Sequence, residues 1–268
     1  MNGEAPPAAR WWYATLMFGI AVLVCGASLG GTLPSSTYAA EPGYGAPVLA
    51  FEFARGQADL IAIFGPDGDP MQVARLAAMR SGTEQDYIYM LLYAAFLASG
   101  LIAFWRELGV PLLRAAAGLP ILAALADAYE NWLLLDIQAA FTAGDYSPAM
   151  ASLPWPVAAK FLLLALTNVA VGLALAQTGR WGTLFGTLVI VACVPTLMAL
   201  TAPPHFGWTL LAATAGGWIA LLVAAMIGSW RAAVRDRPLA DFGAPARHPR
   251  PMPAPAPIAA RTFGRRQR

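Results

Sequence analysis

Six apolar runs of about 20 residues decide most of what this chain can fold into, because each suffices for a helix to cross a hydrocarbon core of roughly 30 Å. They run from Trp11 to Leu29, Tyr87 to Trp105, about Val110 to Leu135, Trp155 to Ala176, Trp181 to Leu200 and Trp208 to Trp230. Tryptophan marks at least one end of most of them, and such rings prefer the lipid–water boundary. Only 12% of the residues are charged and 58% are hydrophobic, whereas soluble domains carry about 25% charge. The expected fold class is all-α: a polytopic transmembrane helical bundle of about six spans, with an outer amphipathic helical segment. The domain layout reads as a first span or signal anchor over 1–30, an extracytoplasmic loop over 31–86, a five-span bundle over 87–230 and a disordered basic tail over 231–268.

Orientation follows from the arginines in the connections, since cytoplasmic loops are enriched in Lys and Arg. The turns near Arg106 and Arg180 are basic, as is the tail from Arg231. The 136–154 and 201–207 connections contain no basic residue. The 31–86 segment has seven acids against Arg55, Arg75 and Arg80. This alternation puts both termini in the cytoplasm. Sixteen of the 17 basic residues are Arg, a bias typical of G+C-rich genomes, so a bacterial inner membrane is the expected location. The first span has the basic flank and apolar core of a signal peptide. No clean A-x-A site follows it, and Val22-Leu23-Val24-Cys25 lacks the small residue of a lipid-attachment box. A retained span is the preferred reading.

A loop as long as 31–86 needs structure of its own. Leu49, Phe53, Leu60 and Phe64 fall on one helical stripe, with Glu52, Arg55 and Asp59 on another. That pattern predicts an amphipathic helix lying on the outer membrane surface. Gly65-Pro66-Asp67-Gly68-Asp69-Pro70 is a strong turn. Asp67 and Asp69 invite a calcium reading, but the later ligands and the closing Glu of a calcium loop are missing. After Pro70 a helix restarts, with Arg80 and Glu84 at i,i+4, and leads toward the second span.

The charges inside the spans carry the most information. Asp127, Glu130 and Asn131 are spaced i, i+3 and i+4, so one helix face presents all three. Each acid inside a span costs a few kcal/mol by insertion scales, and therefore needs a partner, a proton or water. Lys160, the only lysine, lies five residues past the Trp155 boundary of the next span. At 1.5 Å per residue it sits about 8 Å below the outer surface, between Glu130 at about 6 Å and Asp127 at about 10 Å. Consecutive spans are usually neighbours, so Lys160 is expected to pair with Asp127 or Glu130. Glu52, Asp86 and His205 are candidates to join from the outer side, with Tyr87, Tyr129 and Trp132 as walls. Two readings stay open: structural glue that holds two spans together, or a ligand-binding or catalytic pocket.

Gly26-x-x-x-Gly30 and Gly182-x-x-x-Gly186 permit close helix packing, either within the bundle or between protomers. Pro195 should kink the fifth span. Several chemistries are excluded. Two histidines and two separated cysteines cannot build a multi-histidine or cysteine-rich metal or haem site, and no hydrolase or phosphate-loop motif is present. Neither a metal nor a cofactor is expected, and no basic–aromatic interleaving suggests a nucleic-acid partner.

At Phe51-Glu52-Phe53-Ala54, Gly65-Pro66-Asp67-Gly68, Asp86-Tyr87, Asp127-x-x-Glu130-Asn131 and Lys160-Phe161 the chain resembles a group of uncharacterised bacterial multi-span membrane proteins, over about residues 48–177. The resemblance implies that Glu52, Asp86, Asp127, Glu130, Asn131 and Lys160 belong together. It implies no activity.

Three functions fit these features. One is the binding of a small or lipid-like ligand in an outer-leaflet charged pocket. Another is an accessory subunit of a membrane complex, with lipids, a second copy or another membrane protein as partner. The last is a small intramembrane enzyme using paired carboxylates, which the missing nucleophile makes the weaker option. An ion-coupled carrier lacks the inverted repeat such proteins show.

Overall fold

The computed structural model describes residues 8–145 and 147–234. Eleven α-helices follow one another along the described residues, with no strand among them. They are α1 (Ala9–Thr32), α2 (Pro47–Glu52), α3 (Gln57–Phe64), α4 (Gln72–Leu108), α5 (Pro111–Ala116), α6 (Leu119–Thr142), α7 (Ala149–Ser152), α8 (Pro154–Ala176), α9 (Arg180–Val191), α10 (Val194–Thr201) and α11 (Pro203–Val234). Six units are long and apolar enough to cross a membrane: α1, α4, α5–α6, α7–α8, α9–α10 and α11. The chain is a multi-pass membrane protein with an all-α bundle fold.

The centre of the bundle is α4, which packs against α1 and α6, while α6 packs against α8. Its 37 residues measure about 56 Å at 1.5 Å each, well beyond a hydrocarbon core. The helix restarting after Pro70 and the second span are thus one continuous rod. It ends at Gly109, whose φ of 70° is left-handed backbone suited to a residue without a Cβ. In this rod Tyr93, Phe96, Leu97, Leu101 and Phe104 are buried against α1, α6 and α11.

The first helix is built into this core. Trp12 is buried edge-on against Phe104, with ring centroids 5.0 Å apart, and its indole N–H donates to Glu107. At the other end of α1, the Thr32 hydroxyl donates to Gln85 of α4.

Span boundaries differ from the sequence reading in three places. The third span is broken at Ala117–Gly118, and α6 carries on to Thr142, so Asp136 lies within the helix rather than in a loop. Its carboxylate accepts a hydrogen bond from Ser147. In the fifth span Pro195 does more than kink the helix: α9 stops at Val191, and Pro195 stands in the first turn of α10, where its missing N–H has no helical partner to lose. The last helix continues to Val234, past the expected start of the tail. The rest of that tail, 235–268, lies outside the described residues.

The second glycine pair acts within the chain. A Cβ on Gly186 would come within 2.3 Å of the Gly172 carbonyl oxygen, and one on Gly182 within 2.2 Å of the Leu175 oxygen. Both contacts weld α9 onto α8, backbone against backbone.

The amphipathic segment corrects the sequence reading most. It is two helices rather than one. The stripe is cut at Gly56, and Asp59 caps α3 by accepting from the Arg55 and Gly56 N–H groups. The two short helices α2 and α3 then fold onto the end of the bundle. Leu49, Phe51, Phe53, Leu60, Ile63 and Phe64 are buried in a second core with residues of α6, α8 and α11. The turn after α3 closes with Asp69 paired to Arg75, whose guanidinium also donates to the Phe64 carbonyl. An apolar stripe too short to cross a membrane has become a cap with a buried inner face, and that cap carries Glu52.

Candidate functional site

Three helices deliver four charges to one point. Lys160, six residues into α8, extends its ammonium between α6 and α2. Its Nζ lies 2.8 Å from Glu130 Oε1, 3.1 Å from Glu52 Oε1 and 3.2 Å from Asp127 Oδ1. All four side chains are buried, with relative exposures of 6% for Lys160, 0% for Glu130, 7% for Glu52 and 4% for Asp127. The i, i+3 spacing puts Asp127 and Glu130 on the same inner face of α6. Lys160 is placed opposite them by the antiparallel packing of α8.

The arrangement extends outward from this point. The Tyr93 hydroxyl of α4 donates to Asp127 Oδ2 at 2.8 Å. The Asn131 side-chain amide donates to Asp86 Oδ2 at 2.8 Å. Phe161, next to Lys160, stacks on Phe53 with centroids 6.0 Å apart, which keeps the α2 end of the cap against α8. The six residues Glu52, Asp86, Asp127, Glu130, Asn131 and Lys160 therefore form one polar assembly.

The charges do not balance. Three carboxylates touch one ammonium, so full ionisation would leave two net negative charges in a buried site. At an effective dielectric constant of about 20, two like charges 4 Å apart repel by about 4 kcal/mol. Burial pushes the Glu52 carboxyl above its ordinary range, against the pull of the Lys160 ammonium, and the charge of Asp127 pushes it further. Glu52 Oε2 and Glu130 Oε2 are buried, and no amide, hydroxyl or ammonium donor reaches them.

Beside the cluster lies a cavity of about 330 Å³. Glu52, Asp86, Asp127, Asn131 and Lys160 form its polar wall. Tyr89, Tyr93 and Trp218 form an aromatic wall, and residues of α1 and α11 complete it. Glu130 does not line the cavity; it sits behind Lys160 and holds the ammonium in place.

The expected outer walls are elsewhere. Tyr129 and Trp132 stack on each other with centroids 5.8 Å apart and are 49% and 58% exposed. They lie on the outer face of α6, opposite the acids. Tyr87 spends its hydroxyl on the Ala128 carbonyl. His205 is exposed in the first turn of α11, away from the cavity. The aromatic residues that do line the cavity were partly legible: Asp86, Tyr89 and Tyr93 follow i, i+3, i+7 spacing along α4. Trp218 was not, because nothing local ties a residue of the last span to the second.

Among the described residues no group of three or more His, Cys, Asp or Glu side chains is arranged to hold a metal ion. Nor, among the described residues, is any serine, threonine or cysteine hydrogen-bonded to the cluster acids. Comparison with protein-family models, with curated proteins and with solved structures found no match. The charged cavity is therefore what a functional reading of this membrane protein has to explain.

Proposed function

We propose that this chain binds a small or lipid-like ligand in the cavity beside Lys160. The observation that carries the reading is the cavity itself: a polar wall of buried charges faces an apolar and aromatic wall across about 330 Å³. A site meant only to hold helices together has no need of a cavity at its edge, since an ion pair stabilises best when its remaining hydrogen-bonding capacity is filled. Ligand sites are typically concave and largely apolar, with a few placed polar groups. In this reading the chain lies in a bacterial inner membrane with both termini in the cytoplasm. The cavity then opens toward the outer leaflet, under the cap formed by α2 and α3. The alternation of basic and non-basic connections supports this orientation. The chain would sit with the bacterial multi-span group that shares its acidic and lysine motifs.

Native mass spectrometry of the protein released directly from membranes tests the reading. The wild type should carry a bound small molecule or lipid that survives gentle activation. Glu52→Gln and Asp127→Asn should lose it while the protein keeps its elution volume in neutral detergent. A wild-type protein that is folded and free of any adduct would count against a binding site. Stoichiometric co-release of another membrane protein would favour an accessory subunit instead.

A further inference from the structure

A second space adjoins the charged cavity and opens sideways. A groove of about 360 Å³ runs between α1 and α11, and it shares Gly26, Tyr89, Ala215 and Trp218 with the charged cavity. Beyond these four its lining is apolar, with Val22, Leu23, Phe96, Ile219 and Leu222 among its residues. Leu23 and Ile219 are 57% and 58% exposed, so the groove opens onto the surface that lipid covers. A molecule occupying both spaces would need a polar head joined to an apolar chain.

The head faces a defined chemistry. The titratable carboxyl and amine residues lining the charged cavity are Glu52, Asp86 and Asp127 against Lys160, three acids to one base. The ammonium of Lys160 is already surrounded by three carboxylate oxygens within 3.2 Å, so it has little to offer an anion. The aromatic wall closes on itself: Tyr93 and Trp218 lie 5.4 Å apart, Tyr89 and Tyr93 5.9 Å, and Tyr89 and Trp218 6.2 Å, measured between ring centroids. Three rings and a carboxylate on the same cavity make the combination that recognises organic ammonium ions, since ring faces are negative and attract a poorly hydrated cation. Glu52, which lines this cavity and is nine-tenths buried, has one buried carboxyl oxygen to which no donor hydrogen-bonds.

From the acid-rich wall, the aromatic triad and the adjoining lateral groove, we infer that the ligand is a cationic amphiphile, with an ammonium head between Asp86 and the rings of Tyr89, Tyr93 and Trp218 and an alkyl chain in the groove between α1 and α11. This rests on the binding reading above and specifies its ligand class. The ammonium head belongs either to a long-chain amine or to a zwitterionic phospholipid. The acid wall disfavours an adjoining phosphate.

The test is a radioligand binding assay on the full chain in neutral maltoside micelles, with labelled dodecyltrimethylammonium as probe. Binding should be saturable. It should weaken at least tenfold in Asp86→Asn and in Trp218→Leu, and recover in Trp218→Phe, which restores a ring. Ala27→Phe, at the groove, should abolish the gain in affinity between octyl and dodecyl chains. Competition by dodecylphosphocholine as strong as that by the amine would assign the head to a phospholipid and keep the ammonium class. If dodecyl sulfate or a neutral dodecyl ether binds saturably and the ammonium probe does not, the charge assignment is overturned while the binding reading stands. If no amphiphile of any charge binds to a folded protein, both fall.

Discussion

Lys160 Nζ lies 2.8 Å from Glu130 Oε1, and Glu130 is wholly buried behind it. Glu130 thus acts as the anchor of the lysine. The two other carboxylates that touch the ammonium, Glu52 and Asp127, also line the cavity. This division separates a structural ion pair from the carboxylates available to a ligand.

Removing the cation should be worse than removing one anion. Lys160→Met strands three buried carboxylates, and breaking a buried pair by deleting one partner costs about 3–5 kcal/mol. Glu130→Gln leaves Lys160 with Glu52 and Asp127, and should cost less than half as much. Adding Glu130→Leu to Lys160→Met should recover part of the loss, because an apolar replacement of both partners is often neutral. Thermal unfolding in neutral detergent measures all three. Equal losses in the two single variants would mean that the stranded negative charge does not set the cost.

The pH dependence has a definite sign. Burial raises the Glu52 carboxyl above its ordinary value, so the folded protein holds a proton that the unfolded chain releases more readily. This contribution to stability is full below the ordinary glutamate value of about 4.3. It is lost as pH rises through the raised folded value, at a limit of about 1.4 kcal/mol per pH unit for one proton. Unfolding temperature should therefore fall as pH rises from about 4, and Glu52→Gln should flatten the curve over the same range. A wild-type curve that climbs across this range would refute the assignment.

Tyr93→Phe removes one hydroxyl and nothing else. Its hydrogen bond goes to the Asp127 carboxylate, and bonds to charged groups contribute about 1.5–3 kcal/mol. The variant should lose stability within that range and stay folded, since the ring keeps its packing against Tyr89 and Trp218. A neutral outcome in calorimetry would mean that Asp127 needs no donor beyond Lys160.

The weld between α8 and α9 is sensitive to one methyl group. A Cβ at Gly186 would overlap backbone atoms of Gly172 and Ala176, which have no rotamer to yield. Gly186→Ala should cost about 1–3 kcal/mol as overpacking, and limited proteolysis should then cut the 177–179 connection faster. Gly30→Ala is the control, because open space surrounds that position and no such change is expected.

The proposed orientation is open to a labelling experiment. With Cys25 and Cys193 changed to Ala, His205→Cys should react with a membrane-impermeant maleimide in intact cells. Arg180→Cys should react only after the membrane is opened. The reverse pattern would invert the bundle and move the charged cavity to the cytoplasmic side.

The grouping of Asp127, Glu130 and Asn131 was legible because helical spacing is a local property: three residues at i, i+3 and i+4 share a face whatever the rest of the chain does. Lys160 could be set at the same level because consecutive spans are usually neighbours and helical rise is constant. Glu52 was a weaker candidate. Its helix was expected to lie on a membrane surface, and the break at Gly56 with its Asp59 cap is a short-range signal easily lost beneath a longer apolar stripe.

What the sequence determined by itself was the solvent and the class of fold. Runs of about 20 apolar residues leave helices as the available way to satisfy the backbone in lipid, and acids within such runs demand partners. Only the tertiary structure decided that Glu52 closes the cluster, that Tyr129 and Trp132 face outward, and that Trp218 from the last helix meets Tyr89 and Tyr93 from the fourth. Those contacts join residues far apart in the chain. They depend on how helices rotate about their own axes and which neighbours they choose, and no local periodicity carries that information.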